Sequence, residues 1–204
     1  MSTKISRRSF LKCTGASIAA VSAAGMLGGC KSNGNSTVVE VKVGDKVSNW
    51  NNLGVQLTSL FKLTSDPAQA GYEYIGVLVT AVNRSKKDTF AIGAQNLAEI
   101  NAAYPVPPLE NVDANFHALA AASTDFAASC DGQSVECGAS IALYNKNSQS
   151  FSDSTSLPPQ GSGYVQLMLM VPTGWKQINV TYMPTFVEDK TITFVMTSAD
   201  VTKA

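Results

Sequence analysis

Tyr72-Glu73-Tyr74-Ile75-Gly76-Val77-Leu78-Val79-Thr80-Ala81-Val82-Asn83 is the stretch whose reading decides the fold. Ile75, Val77, Val79 and Ala81 fall at every second position, which is the period of a strand. Tyr74, Leu78 and Val82 make the opposite face partly apolar as well. A strand that is apolar on both faces needs cover on both, so this one is predicted to be central in its sheet.

Working outward, the same period recurs on either side. Upstream, Val39, Val41 and Val43 alternate with Glu40 and Lys42, and Gly44-Asp45 turns the chain. Val55-Gln56-Leu57-Thr58 begins a second strand toward Phe61 and Leu63, and Asp66-Pro67 breaks it. Downstream, Asn83 to Asp88 is a polar turn, and Phe90 and Ile92 resume a short strand. Further strands are predicted over Gly138 to Tyr144, Tyr164 to Val171, Ile178 to Tyr182 and Thr191 to Ser198. Asn145 to Gly161, rich in Ser, Asn and Pro, is predicted to be a loop. Residues 94–129 differ: they are rich in Ala and Asn and contain Pro105, Pro107 and Pro108. Asp113 is placed to cap a short helix over Ala114–Ala122, since Asp is a good N-cap and Ala the best helix former. This stretch is too poor in large apolar residues to bury a core of its own and reads as an insertion. Seven or eight short strands, without βαβ spacing or an internal repeat, predict an antiparallel β-sandwich with a short helical insertion.

The residues now quoted also carry a resemblance. Tyr74 to Ser85 resembles the central strand and turn of the telokin-like, immunoglobulin-fold domain of unknown function found in many bacterial surface lipoproteins. Gly163 to Pro172, then Trp175 and Ile178 to Tyr182, is similar to that family's later strands. The resemblance covers most of residues 38–200, while residues 94–130 and the Cys130/Cys137 pair depart from the pattern. It implies an immunoglobulin-like sandwich acting as an extracytoplasmic binding or accessory module, with no catalytic residues to carry over.

The first thirty residues concern location. Lys4, Arg7, Arg8 and Lys12 form a basic start, and no acidic residue occurs before Glu40. The apolar run from Cys13 to Leu27 is shorter than the roughly 20 residues a membrane span needs, so it reads as a removable signal. Ser6-Arg7-Arg8-Ser9-Phe10-Leu11-Lys12 resembles the twin-arginine export motif, which implies export of an already folded chain; an ordinary export signal carrying two arginines is the other reading. Leu27-Gly28-Gly29-Cys30 resembles the bacterial lipobox, which implies acylation of Cys30 and cleavage before it. The polar Lys31 to Ser36 then suits a flexible tether. The organisation expected is a signal over 1–29, a lipidated cysteine and tether over 30–37 and one domain over 38–204. The location expected is the outer face of a bacterial membrane, with the bilayer as partner through Cys30.

Four of the fifteen basic residues precede Cys30, so residues 30–204 carry eleven basic against fifteen acidic residues, a net −4. Mild acidity without a basic cluster argues against nucleic acid as a partner. Cys130 and Cys137 remain as an even pair around Asp131-Gly132, a turn signal, and predict a disulfide across a hairpin; a redox or metal pair is the competing reading.

Catalytic patterns are scarce. His117 is the single histidine, and Gly138-Ala139-Ser140-Ile141-Ala142 fails the nucleophile-elbow pattern at its last position. No phosphate loop, dinucleotide fingerprint or H-E-x-x-H string occurs. The expectation is a protein that is not an enzyme and has no cofactor. Met168, Met170, Met183 and Met196 leave a copper carrier as the alternative, although methionine within apolar strands is ordinarily core filler. Trp50, in a polar loop, and Trp175, after Pro172-Thr173-Gly174, are candidate contacts for another envelope protein or a cell-wall component; the competing reading folds each back over an end of the sandwich.

Overall fold

The computed structural model describes residues 38–63, 68–93, 112–145 and 147–202, the side chains of 112–115 excepted. The signal, Cys30, the tether, the Asp66-Pro67 break and residues 94–111 lie outside the described residues.

The stretch Tyr72–Asn83 forms β4. It pairs antiparallel with β3 (Leu53–Leu63) on one side and β11 (Ser162–Pro172) on the other, so it is central in its sheet. β8 (Cys137–Asn145) and β9 (Ser150–Ser154) continue that sheet beyond β11. β2 (Lys46–Trp50) and β14 (Val201–Thr202) share the outer edge of β3, the first along its start and the second along its end. The facing sheet runs β1 (Val38–Lys42), β13 (Thr191–Thr197), β12 (Gln177–Tyr182), β6 (Phe126–Cys130) and β7 (Gln133–Val135). A two-stranded ribbon of β5 (Phe90–Ala91) and β10 (Ser156–Leu157) completes the β structure among the described residues.

The chain is an all-β sandwich. The order β3-β4-β11-β8 opposite β6-β12-β13 is the ABED-on-CFG arrangement of immunoglobulin-like sandwiches. Pairing is antiparallel except at two edges, where β1 runs parallel to β13 and β14 parallel to β3. The core sits between the sheets. Ile75, Val77, Val79 and Ala81 meet Val165, Leu167 and Leu169 of β11, and Ile178, Val180, Ile192 and Phe194 from the facing sheet. Each of these Val, Leu, Ile and Phe side chains, fully buried, contributes about 1.5–3 kcal/mol, and Ala81 less.

The other face of the β4 sheet explains why β4 is apolar on both sides. A helix, α1 (Val112–Ala122), lies over it. Tyr74, Leu63 and Phe116 form a second cluster, with Met168, Met170 and Ala120 against it. Gly138 is the seat of the helix: a Cβ there would stand 2.7 Å from Leu119 Cδ2. Since α1 begins at Val112, Asp113 lies in its first turn and not at the cap.

Several expectations need correction. β2, β6, β9 and β10 occupy stretches read as loop or insertion. β2 is hidden by its turn: Asn51 and Asn52 both take positive φ (49° and 66°), the geometry of a two-residue type I′ hairpin. β6 buries Phe126, Ala128 and Cys130, two of them small, and so carries little hydrophobic signal. β9 has the burial of an edge strand, with Ser150, Ser152 and Asp153 exposed.

The cysteine pairing is also corrected. The hairpin does turn at Asp131-Gly132, with φ of 47° and 82°. That tight turn sets Gln133, not Cys137, opposite Cys130. Cys137 has already crossed to the other sheet, where it pairs with Leu169. Both cysteines are buried free thiols, and no disulfide joins them.

Candidate binding cleft

One end of the sandwich is built where three connections meet: the β11–β12 turn, the β13–β14 link and the tip of the β6–β7 hairpin. Glu73 stands at the start of β4, in register with the inward-facing Ile75. Lys62 reaches the same end because β3 carries a bulge between Leu57 and Ser59. Up to Leu57 the odd positions face the core; beyond the bulge Leu60 faces it, and Lys62 follows Leu60.

Trp175 closes this end from above. It is buried, and its indole Nε1–H donates to Glu73 Oε1 at 2.8 Å. The Lys62 ammonium pairs with the other oxygen, Oε2, at 2.5 Å. The turn holding Trp175 is itself fixed. Gly174 takes φ 81°, a conformation that favours glycine, and Thr173 N–H donates to Gly71 O at 2.9 Å. Asp131 accepts from Lys176 N–H and Gln177 N–H, the latter at 2.8 Å. Ser198 N–H donates to Lys176 O at 3.0 Å, and Asp200 Oδ2 accepts from both Thr197 N–H and Thr197 Oγ1 at 2.8 Å. Between these parts lies an open cleft of about 450 Å³ lined by Lys62, Glu73, Trp175, Lys176, Ser198 and Val201. That volume falls within the roughly 300–1,000 Å³ of small-molecule sites.

The opposite end is different in character. Asn83 is buried there and accounts for three hydrogen bonds: its amide donates to Asp88 O (2.7 Å) and Leu157 O (3.0 Å), and its Oδ1 accepts from Ser85 N–H. Asp125 and Tyr182 are buried at the same end, yet Asp125 Oδ2 and the Tyr182 hydroxyl have no hydrogen-bond partner. Burial pushes the Asp125 carboxyl above its ordinary range, and burial, then the Asp125 charge, pushes the Tyr182 phenol up.

The remaining sequence candidates are dispersed. Trp50 is buried at the Asn83 end with its indole N–H unpartnered, so neither tryptophan is an exposed contact; each folds back over an end of the sandwich. His117 is half exposed on α1, where it pairs through Nδ1 with Glu136. Met196 lies in the core between the sheets, Met168 and Met170 lie under α1 on the far side of the β4 sheet, and Met183 is exposed. The four methionines therefore do not converge. Among the described residues no three His, Cys, Asp or Glu side chains come together as a metal site. Burial raises both thiols, Cys137 to about 12. Arg7, Arg8, Phe10, Leu11 and Cys30 lie outside the described residues.

Glu73 and Lys62 were missed by sequence reasoning. The signal was present: Glu73 sits in the inward-facing register of an otherwise apolar strand, and a carboxylate partly withdrawn from solvent there requires donors.

No family model and no curated protein matches the chain. Among solved structures it is similar to an uncharacterized beta-sandwich protein from Clostridium difficile 630. The identity is 12%, over 77% of this chain and 93% of that one, with a TM-score of 0.42.

Proposed function

We propose that the protein is a lipid-anchored binding module of the bacterial cell envelope, of the telokin-like, immunoglobulin-fold kind, without catalysis of its own. In this reading Arg7, Arg8, Phe10 and Leu11 direct twin-arginine export, and acylated Cys30 holds the domain on the outer face of the membrane. Its partner is another envelope protein or a cell-wall component.

The observation that carries the reading is the direction of β1. It starts at Val38, beside Thr191, and runs toward Lys42, beside Val195. Val38 is therefore at the Asn83 end, and the cleft is at the other. Val38 follows Cys30 by eight positions, a reach of about 28 Å fully extended. A chain anchored at Cys30 enters the sandwich at one end and leaves the cleft at the end away from the bilayer, free to meet a partner.

The test is fractionation. Cys30→Ala should move the protein from the membrane to the soluble fraction; retention on the membrane would refute the anchor. Changing Arg7 and Arg8 together to Lys should leave precursor in the cytoplasm, whereas undisturbed export would point to the ordinary route.

A further inference from the structure

We propose that the cleft at the Trp175 end binds a small amphipathic anion, a carboxylate carried on an apolar body. The proposal deepens the binding-module reading by giving that site a ligand class.

The argument is an inventory of donors and acceptors. Three carboxylates lie around the cleft, and each is engaged by the protein itself. Glu73 accepts Trp175 Nε1–H on one oxygen and the Lys62 ammonium on the other. Asp131 accepts the backbone N–H groups of Lys176 and Gln177. Asp200 accepts both donors of Thr197. These acids are spent on holding the connections in place. The cations are not spent in the same way. Lys176 lines the cleft, is exposed, and pairs with no carboxylate among the described residues. The Lys62 side chain, half exposed at 51%, gives one N–H to Glu73 and keeps others free, since an ammonium carries three donors. Ser198, exposed, also lines the cleft.

The side chains that line the cleft therefore present an excess of donors and, with Lys62 and Lys176 against Glu73, one net positive charge, while Asp131 and Asp200 stand outside that lining. Its floor is apolar, made by Trp175, Ile75 and Val201. A cation would meet two ammonium groups, and the one carboxylate in the lining, Glu73, is engaged at both oxygens. A neutral apolar ligand would leave the lysines unanswered. An anion with an apolar body satisfies both parts, and the charged hydrogen bonds that hold it are the stronger kind.

Trp175 supplies the readout. Only two indole N–H signals exist in the chain, from Trp50 and Trp175, and they sit at opposite ends of the sandwich. The full chain in detergent micelles would be titrated with benzoate, benzylammonium and benzyl alcohol and followed by amide NMR, with Trp50→Phe assigning the indoles. Benzoate is expected to move the Trp175 indole and the Lys176 and Ser198 amides saturably while the Trp50 indole stays still. Lys176→Gln, at an exposed position, should weaken benzoate about tenfold with the spectrum otherwise unchanged. The proposal is overturned if benzylammonium or benzyl alcohol binds as well as benzoate, if the variant binds equally, or if none of the three moves Trp175. The titration is independent of anchoring: Cys30→Ala should bind benzoate undiminished, so failure of the lipid reading and failure of the ligand class are told apart.

Discussion

The two ends of the sandwich are closed by the same kinds of residue and solve the same problem differently. At each, a tryptophan folds inward and an acidic side chain is withdrawn from solvent. At the Trp175 end the two are partners: the indole donates to Glu73, and Lys62 completes the carboxylate. At the other end Trp50 Nε1, Asp125 Oδ2 and the Tyr182 hydroxyl are buried without partners, and order there rests on Asn83. A buried polar group left unmatched costs about 1–3 kcal/mol, so the second end carries a penalty that the first does not. The contrast separates a surface built to present donors outward from an end held by one amide.

The largest expected effect is at that amide. Asn83→Ala strips Asp88 O and Leu157 O of a donor and Ser85 N–H of an acceptor, all at a buried site. A loss of about 3 kcal/mol is expected from urea unfolding. A loss below 1 kcal/mol would mean that the neighbouring contacts of Arg84 with Ser48 O and of Gln160 with Ser85 O hold this end without it.

Next in size is the pH dependence of Asp125. Its folded-state pKa is raised by burial, so the folded state holds this proton more tightly than the unfolded chain does. The associated stability is complete below the unfolded value, about 3.9, and is lost as pH rises through the folded value. Asp125→Asn should then melt close to the parent near pH 4 and above it at pH 7, by an amount on the order of 1–3 kcal/mol. Equal melting curves at both pH values would show that the carboxylate finds solvent.

The matched pair of tryptophan changes sharpens the contrast most directly. Trp175→Phe removes a hydrogen bond to Glu73 along with some packing and should cost about 1–2 kcal/mol. Trp50→Phe removes a donor that has no partner, so its hydrogen-bonding cost should be absent and the net loss smaller. If the order of the two is reversed, the two ends are not distinguished by polar satisfaction.

The smallest effect belongs to Lys62. Its ammonium is half exposed, and Lys62→Met should cost under about 1 kcal/mol, with little salt dependence left in the variant. Separately, an aromatic disulfide reagent should leave Cys130 and Cys137 unmodified until the protein unfolds, then react with both. Protection that persists in urea without reductant would mean that the two thiols are joined after all.

Much of the sandwich was legible because long strands with one or two apolar faces announce themselves. β4 matches its expected bounds, and β11, β12 and β13 differ by one or two residues at their ends. The strands that escaped notice had weak patterns for identifiable reasons. β2 ends on an Asn-Asn turn that reads as loop, β6 buries small side chains, and β9 is a serine-rich edge. The cleft was half legible. Trp175 stood out, but its partner Glu73 lies 102 residues away, and Lys62 reaches the site only through a bulge.

By itself the sequence determined the things that are local: strand period, the Asp131-Gly132 turn, and the two-faced apolar character of β4. These follow from neighbouring side chains, and they require cover without saying what provides it. Tertiary structure alone decided the pairings. It placed Cys130 and Cys137 on opposite sheets, laid α1 over Gly138, and brought Lys62, Glu73 and Trp175 to one end. The physical reason is that register is a long-range quantity. A single bulge in β3 reverses which positions face inward beyond it, and a two-residue turn decides which residue stands opposite a cysteine.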